Sequence, residues 1–155
     1  ESYSKIKFAN AGIDIDFVQD NQSFSHKGAV RGLHAQKAPY AQTKLVRVIQ
    51  GNVLDVVVDV RKNSPTYGQH ETIELSGENQ LQLLIPEGFL HGFATLEDNT
   101  IFVYKVNNYY SKECEVGVKW DDPTLAINWG LDKADILISA KDDVLPLFAD
   151  WDSPF

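Results

Sequence analysis

Two residue types that reactions beside a carbonyl require stand ten positions apart in this chain. His34 lies inside the apolar run VRGLHAQ, and Lys44 heads a second run, KLVRVIQ. An imidazole can take a proton from carbon near neutral pH. An ammonium can hold the negative charge that the departing proton leaves on a neighbouring oxygen. A base and a cation on neighbouring strands therefore point to proton abstraction next to a keto group. Neither residue says this alone, since a histidine in an apolar strand is more often a hydrogen-bonded core residue and a lysine at a strand end is more often solvated. The histidines His26 and His70 sit among polar neighbours and are expected at the surface.

The elements that must position this pair read as strands. Residues 29–36 and 44–50 are apolar runs separated by KAPYAQT, where Pro39 has no N–H for a central ladder. Gly51 and Asn52 form a turn into VLDVVVDV, in which Leu54, Val56, Val58 and Val60 share one face. Val57, between two aspartates, leaves the other face half polar. Upstream, Ile13, Ile15 and Phe17 alternate with polar residues and predict a strand, followed by a loop at the polar cluster Gln19, Asp20, Asn21. Downstream, ETIEL, LQLLIP, FLHGFATL and TIFVYKV are short strands between turn residues, and no helical period emerges before Gly130. The pattern is that of an all-β sandwich or barrel. After Trp129, Ser139 can cap a short helix and Pro146 limits its length, so short C-terminal helical turns are expected.

Composition bounds the function classes. The 155 residues, 43% hydrophobic and 23% charged, suit one domain over residues 1–155. A net charge of −8 opposes nucleic-acid binding, although a local basic pocket can still take one phosphorylated small molecule. No apolar run is long enough for a membrane span and no leader is visible, which predicts a cytoplasmic protein without a membrane partner. The single cysteine, Cys114, has no partner for a disulfide or a cysteine metal site. The chain contains no methionine, so its natural start is expected to precede Glu1.

IPEGFLHGF places Pro86, Gly88 and His91 in a P-x-G-x-x-H arrangement that resembles the second motif of the cupin superfamily, where the histidine is a metal ligand. The first motif there is H-x-H followed by a glutamate; here His34-Ala35-Gln36 and Lys44 stand in those places, with a longer gap. A lysine ammonium in place of an anionic ligand repels a divalent cation. Metal-free acid–base chemistry is therefore expected, with no metal and no other cofactor.

Five segments in order, FVQDNQSFSHKGAVRGLHAQ, AQTKLVRVIQGNVLDVVVDVR, LLIPEGFLHGFATL, YKVNNYYSKECEVGVKWDDPTLAINW and SAKD, resemble the dTDP-4-dehydrorhamnose 3,5-epimerase family over nearly the whole chain. The resemblance implies a cupin-type jelly roll and a homodimer. It implies inversion of carbons 3 and 5 of dTDP-4-dehydro-6-deoxyglucose, giving dTDP-4-dehydro-L-rhamnose. By that similarity His34 is the base, oriented by Asp142 of SAKD, and Tyr104 returns a proton on the far face. Lys44 and His91 stabilise the enolate oxygen. Gln19, Asp20 and Asn21 surround the thymidine, Arg31 and Lys141 approach the diphosphate, and Tyr110 and Glu115 line the pocket.

Two departures accompany the resemblance. The family's diphosphate-gripping arginine lies in a segment that Glu1 would close, and nothing before Glu1 is present in this sequence. Strict alternation also puts Arg31 and His34 on opposite strand faces, so both reach one pocket only if Gly32 marks a bulge. Rival readings are a single-site epimerase or ketoisomerase on a related nucleotide-linked 4-keto-6-deoxysugar, a metal-dependent cupin, and a non-catalytic sugar binder. Binding alone would not call for His34, Asp142 and Tyr104 together.

Overall fold

The computed structural model describes residues Glu1–Phe155. In chain order the elements are α1 (Lys5–Asn10), β1 (Gln19–Ser25), β2 (Ala29–Gln36), β3 (Lys44–Gln50), β4 (Asn52–Asp59), β5 (His70–Ser76) and β6 (Gln82–Ile85). Then come β7 (Phe89–Thr95), β8 (Thr100–Val106), β9 (Glu115–Gly117), β10 (Leu137–Ile138) and α2 (Ala140–Asp143). Short 3-10 turns lie at Lys112–Cys114, Lys133–Asp135 and Phe148–Asp150.

Two sheets face each other. One has the order β1-β8-β3-β6; the other runs β10-β2-β7-β4-β5, with β9 added to β2. All pairings are antiparallel except β10 with β2. This is the all-β sandwich that the spacing of strands and turns predicts, and it is of the cupin type that the family resemblance implies.

The alternation in β4 explains how the layers form. Val56, Val58 and Val60 pack with Trp120, Leu125 and Trp129, so this face of the larger sheet is covered by the C-terminal third of the chain. Val53, on the opposite face, packs between the sheets with Val46, Val48, Leu75, Phe93 and Phe102. Each fully buried aliphatic side chain contributes about 1.5–3 kcal/mol. Removing both faces of β4 from water makes it the backbone of the core.

Two expectations change. The segment from Ile13 to Phe17 is extended, with alternating burial, but has no partner strand; pairing with β8 begins only at Gln19. The polar cluster Gln19–Asn21 is therefore strand, not loop, because β1 is a sheet edge where polar side chains are tolerated. The N-terminal helix α1 also goes beyond the sequence reading: its six residues are too short to show a period. It is held where Tyr3 packs on Phe8 and Phe17.

At the other end, Ser139 caps α2 as expected, accepting a hydrogen bond from the Asp142 N–H at 3.1 Å. No helix is long and apolar enough to cross a membrane.

Candidate active site

The site begins with a slip in β2. Arg31 stands opposite Phe93 and His34 opposite His91, so three steps along β2 match two along β7. The extra residue turns Arg31 and His34 to the same side, into one cavity of about 450 Å³ between the sheets. Gly32 carries the slip at φ +117°, and a Cβ there would meet Gly92 Cα at 2.6 Å and the His91 carbonyl oxygen at 2.7 Å. Only glycine meets both requirements. Arg31 is steadied by Ser25 Oγ, 3.2 Å from its Nη2.

His34 Nε2 lies 2.7 Å from Asp142 Oδ1, and the Gly32 N–H reaches the other carboxylate oxygen at 3.4 Å. Burial works to raise the Asp142 pKa, but the bond and charge of His34 outweigh it and hold the carboxyl below its ordinary value. With Nε2–H given to this carboxylate, Nδ1 is the basic nitrogen. On that side stands Glu115, 4.0 Å from Nδ1. Burial also opposes ionisation of Glu115, yet Lys141 at 2.6 Å and the Tyr110 hydroxyl at 2.9 Å keep its pKa low.

The facing wall comes from the smaller sheet. Lys44 opens β3 and Tyr104 lies in β8, and both line the cavity opposite His34. Burial brings the Lys44 pKa down to about 8, although Asp55 and Glu115 pull it upward. Burial raises the Tyr104 pKa, which keeps its phenol protonated. The hydroxyl makes no internal hydrogen bond and lines the cavity.

His91 is buried in β7, with Nε2 2.9 Å from Asp55 Oδ2. Beside it Phe93 and Phe102 stack at 4.3 Å between centroids, one ring from each sheet.

The structure thus brings His34, Asp142, Tyr104, Lys44, His91, Arg31 and Lys141 around one cavity, with Tyr110 and Glu115 attached through Lys141. Gln19 and Asn21 stand on the inward row of β1, joined by a 2.9 Å hydrogen bond, and Asn21 pairs with Tyr104 across the ladder. Asp20 does not join them. Alternation turns it to the outer face of the smaller sheet, where Lys105 holds it at 2.8 Å. Glu1 is also away from the cavity, paired with Lys7 at 2.9 Å.

Gln36, at the second histidine position of the cupin motif, spends its amide on loop backbone. It donates to the Tyr40 and Tyr109 carbonyls and accepts from the Ser111 N–H. No group of three or more His, Cys, Asp or Glu side chains has the spacing to hold a metal ion.

Sequence reasoning passed over two members of the site. Asp55 registered only as a polar interruption of β4; its inward place opposite the His91 strand was the available signal. Ser23 lines the cavity with a buried hydroxyl that has no protein partner. Only three-dimensional placement shows it.

The family model described as dTDP-4-dehydrorhamnose 3,5-epimerase matches residues 1–150. A dTDP-4-dehydrorhamnose 3,5-epimerase of Shigella flexneri is 50% identical over 153 residues, covering 98% of this chain and 83% of the relative. Two crystal structures superpose with a TM-score of 0.92. The Bacillus anthracis enzyme, solved with TDP and PPi bound, is 50% identical, with 96% of this chain and 84% of that one covered. The Legionella pneumophila enzyme, in complex with dTDP-4-keto-L-rhamnose, is 44% identical, with 98% and 80% covered. By sequence along almost its entire length and by the fold that carries the cavity, this chain belongs to the dTDP-4-dehydrorhamnose 3,5-epimerase family.

Proposed function

We propose that this chain inverts carbons 3 and 5 of dTDP-4-dehydro-6-deoxyglucose through an enolate at the 4-keto group, giving dTDP-4-dehydro-L-rhamnose. The observation that carries the reading is a base and an acid on opposite walls of one cavity. His34, oriented by Asp142, belongs to the larger sheet, and Tyr104 belongs to the smaller.

In each half-reaction His34 Nδ1 takes the proton of the C–H bond beside the carbonyl. The bonding pair becomes the C=C bond of an enolate, and charge moves onto the keto oxygen. Lys44 stabilises that oxygen, as does His91 in its doubly protonated form, which gives Nε2–H to Asp55 and leaves Nδ1–H for the substrate; each donor contributes about a hundred- to a thousand-fold in rate. The Tyr104 hydroxyl then protonates the same carbon from the other face, the carbonyl reforms, and solvent restores both proton carriers. Positioned proton transfer of this kind is worth about a hundred- to ten-thousand-fold.

Arg31 and Lys141 supply the positive charge for the diphosphate of an otherwise acidic protein. Gln19 and Asn21 supply amides for the thymidine end. Asp20 and Glu1 belong to the outer face and have no place in this chemistry within one chain.

The protein acts in the cytoplasm as a homodimer. The outer face of the smaller sheet supports the dimer, with Phe24 53% and Ile49 48% exposed. The single free cysteine, Cys114, fits a reducing compartment.

The test is incubation with dTDP-4-dehydro-6-deoxyglucose in deuterated water, followed by NMR at carbons 3 and 5. Deuterium at both carbons with inverted product, lost in His34→Ala, is the expected result. Label at one carbon makes the enzyme a single-site epimerase.

A further inference from the structure

Asp55 is fully buried in β4 and faces the interior between the sheets. One oxygen, Oδ2, is bonded to His91 Nε2 at 2.9 Å. The other, Oδ1, is buried with no hydrogen-bond partner. A carboxylate with an idle oxygen in the core is costly unless a nearby cation balances it.

Lys44 is such a cation, and it has the complementary oddity. It enters from the facing sheet, lines the cavity and makes no hydrogen bond or ion pair with any side chain. A direct bridge would satisfy both groups and spend the donors of the ammonium. Here attraction acts without contact, and the N–H donors stay available.

We propose that Asp55 is a positioning residue for the epimerisation. It anchors His91 with one oxygen, and its charge keeps Lys44 protonated while leaving the ammonium free to meet the developing enolate. This inference rests on the epimerase reading for its catalytic meaning, but its electrostatic content is independent of any substrate.

The other groups around Lys44 do not replace Asp55. His34 and Arg31 from β2, His91 from β7 and Tyr104 from β8 offer no free negative charge. Asp142 is engaged by His34. Glu115 also attracts Lys44, but less strongly than Asp55 does, and it is committed to Lys141 and Tyr110. Burial alone depresses the lysine pKa, so removing Asp55 must depress it further.

The experiment is pH-dependent acetylation of the free enzyme with acetic anhydride, with Lys44 modification read by mass spectrometry. In the unmodified sequence the midpoint is expected at about 8. In Asp55→Asn it should fall by at least about half a pH unit, giving roughly threefold more labelling at pH 7. The alkaline limb of kcat/KM should move down by the same amount, a change that a merely structural defect does not produce. In a Lys44→Arg background, where the guanidinium stays charged, Asp55→Asn should leave that limb where it is.

An unchanged Lys44 midpoint in folded Asp55→Asn overturns the proposal. If that variant does not fold, Asp55→Glu carries the test. It keeps the charge, so a midpoint more than about one pH unit below the original overturns the proposal. Labelling needs no substrate, so absence of epimerisation in the unmodified enzyme would count against the functional reading and leave this test standing.

Discussion

Replacing Lys44 with methionine should make the protein more stable while removing most of its activity. The lysine titrates near 10.5 when solvated and at about 8 in the fold. At about 1.4 kcal/mol per pH unit, carrying the charge into the fold costs on the order of 3 kcal/mol at neutral pH. That figure already contains the attraction to Asp55 and Glu115, because both contribute to the folded value. Methionine keeps the length and flexibility of the neutral side chain.

The pH dependence fixes the sign. Between about 8 and 10.5 the unfolded chain binds more protons at Lys44 than the folded one, so the unmodified protein gains stability across that window. The advantage of Lys44→Met should be full at pH 7, shrink above pH 8 and nearly vanish by about pH 10.5. Urea denaturation of both proteins at several pH values measures the difference. Turnover should fall by about a hundred- to a thousand-fold. A variant no more stable at pH 7, or a gain that persists undiminished at high pH, would refute the reasoning.

Other perturbations separate the remaining roles. Tyr104→Phe removes a hydroxyl with no internal partner, so folding should change by less than about 1 kcal/mol. Inverted product should form about a hundred- to ten-thousand-fold more slowly, while His34 still exchanges substrate protons with deuterated water. Inversion at the original rate, followed by NMR, would remove Tyr104 from the acid role.

Asp142→Asn should lower turnover by about a hundred-fold or more, because the imidazole loses its orienting charge. The folded Asp142 pKa is depressed, so its stabilisation is complete above the ordinary carboxylate range and is lost as pH falls through the folded value. The stability gap between variant and original, read by denaturant melts, should narrow below about pH 4. Gly32→Ala should cost about 2–5 kcal/mol through backbone strain and the close approach of Gly92, with loss of activity beyond that expected from stability alone. Thermal and kinetic measurements on the purified variant check both.

Much of the fold was legible because each of its signals is local. The bounds of β2 and β3 follow from apolar runs ended by turn residues, and the two faces of β4 follow from its alternation. The doubt about Arg31 and His34 was itself informative: alternation set them apart, a glycine stood between them, and the structure resolves the conflict with a bulge at that glycine.

What was not legible depends on the partner surface. Gln19–Asn21 is polar, yet becomes strand because β8 offers it a ladder. Ile13–Phe17 has the right pattern but no ladder to join. Asp20 sits between two inward amides in sequence and faces the opposite side in space. Asp55 became significant only when β7 placed His91 against it. Charge pairing across sheets leaves no mark in the order of residues.

The stacked rings of Phe93 and Phe102 also set a dimension. One ring belongs to the sheet that carries His34, the other to the sheet that carries Tyr104, and their centroids are 4.3 Å apart. They act as a spacer, fixing how far apart the two walls can stand. In the proposed reaction, which sugar ring fits, and whether His34 and Tyr104 can address the same carbon from opposite sides, is then gauged partly by residues that donate no proton and carry no charge. A change of ring size in that spacer would alter the reach of the reaction while leaving every polar group in the pocket chemically intact.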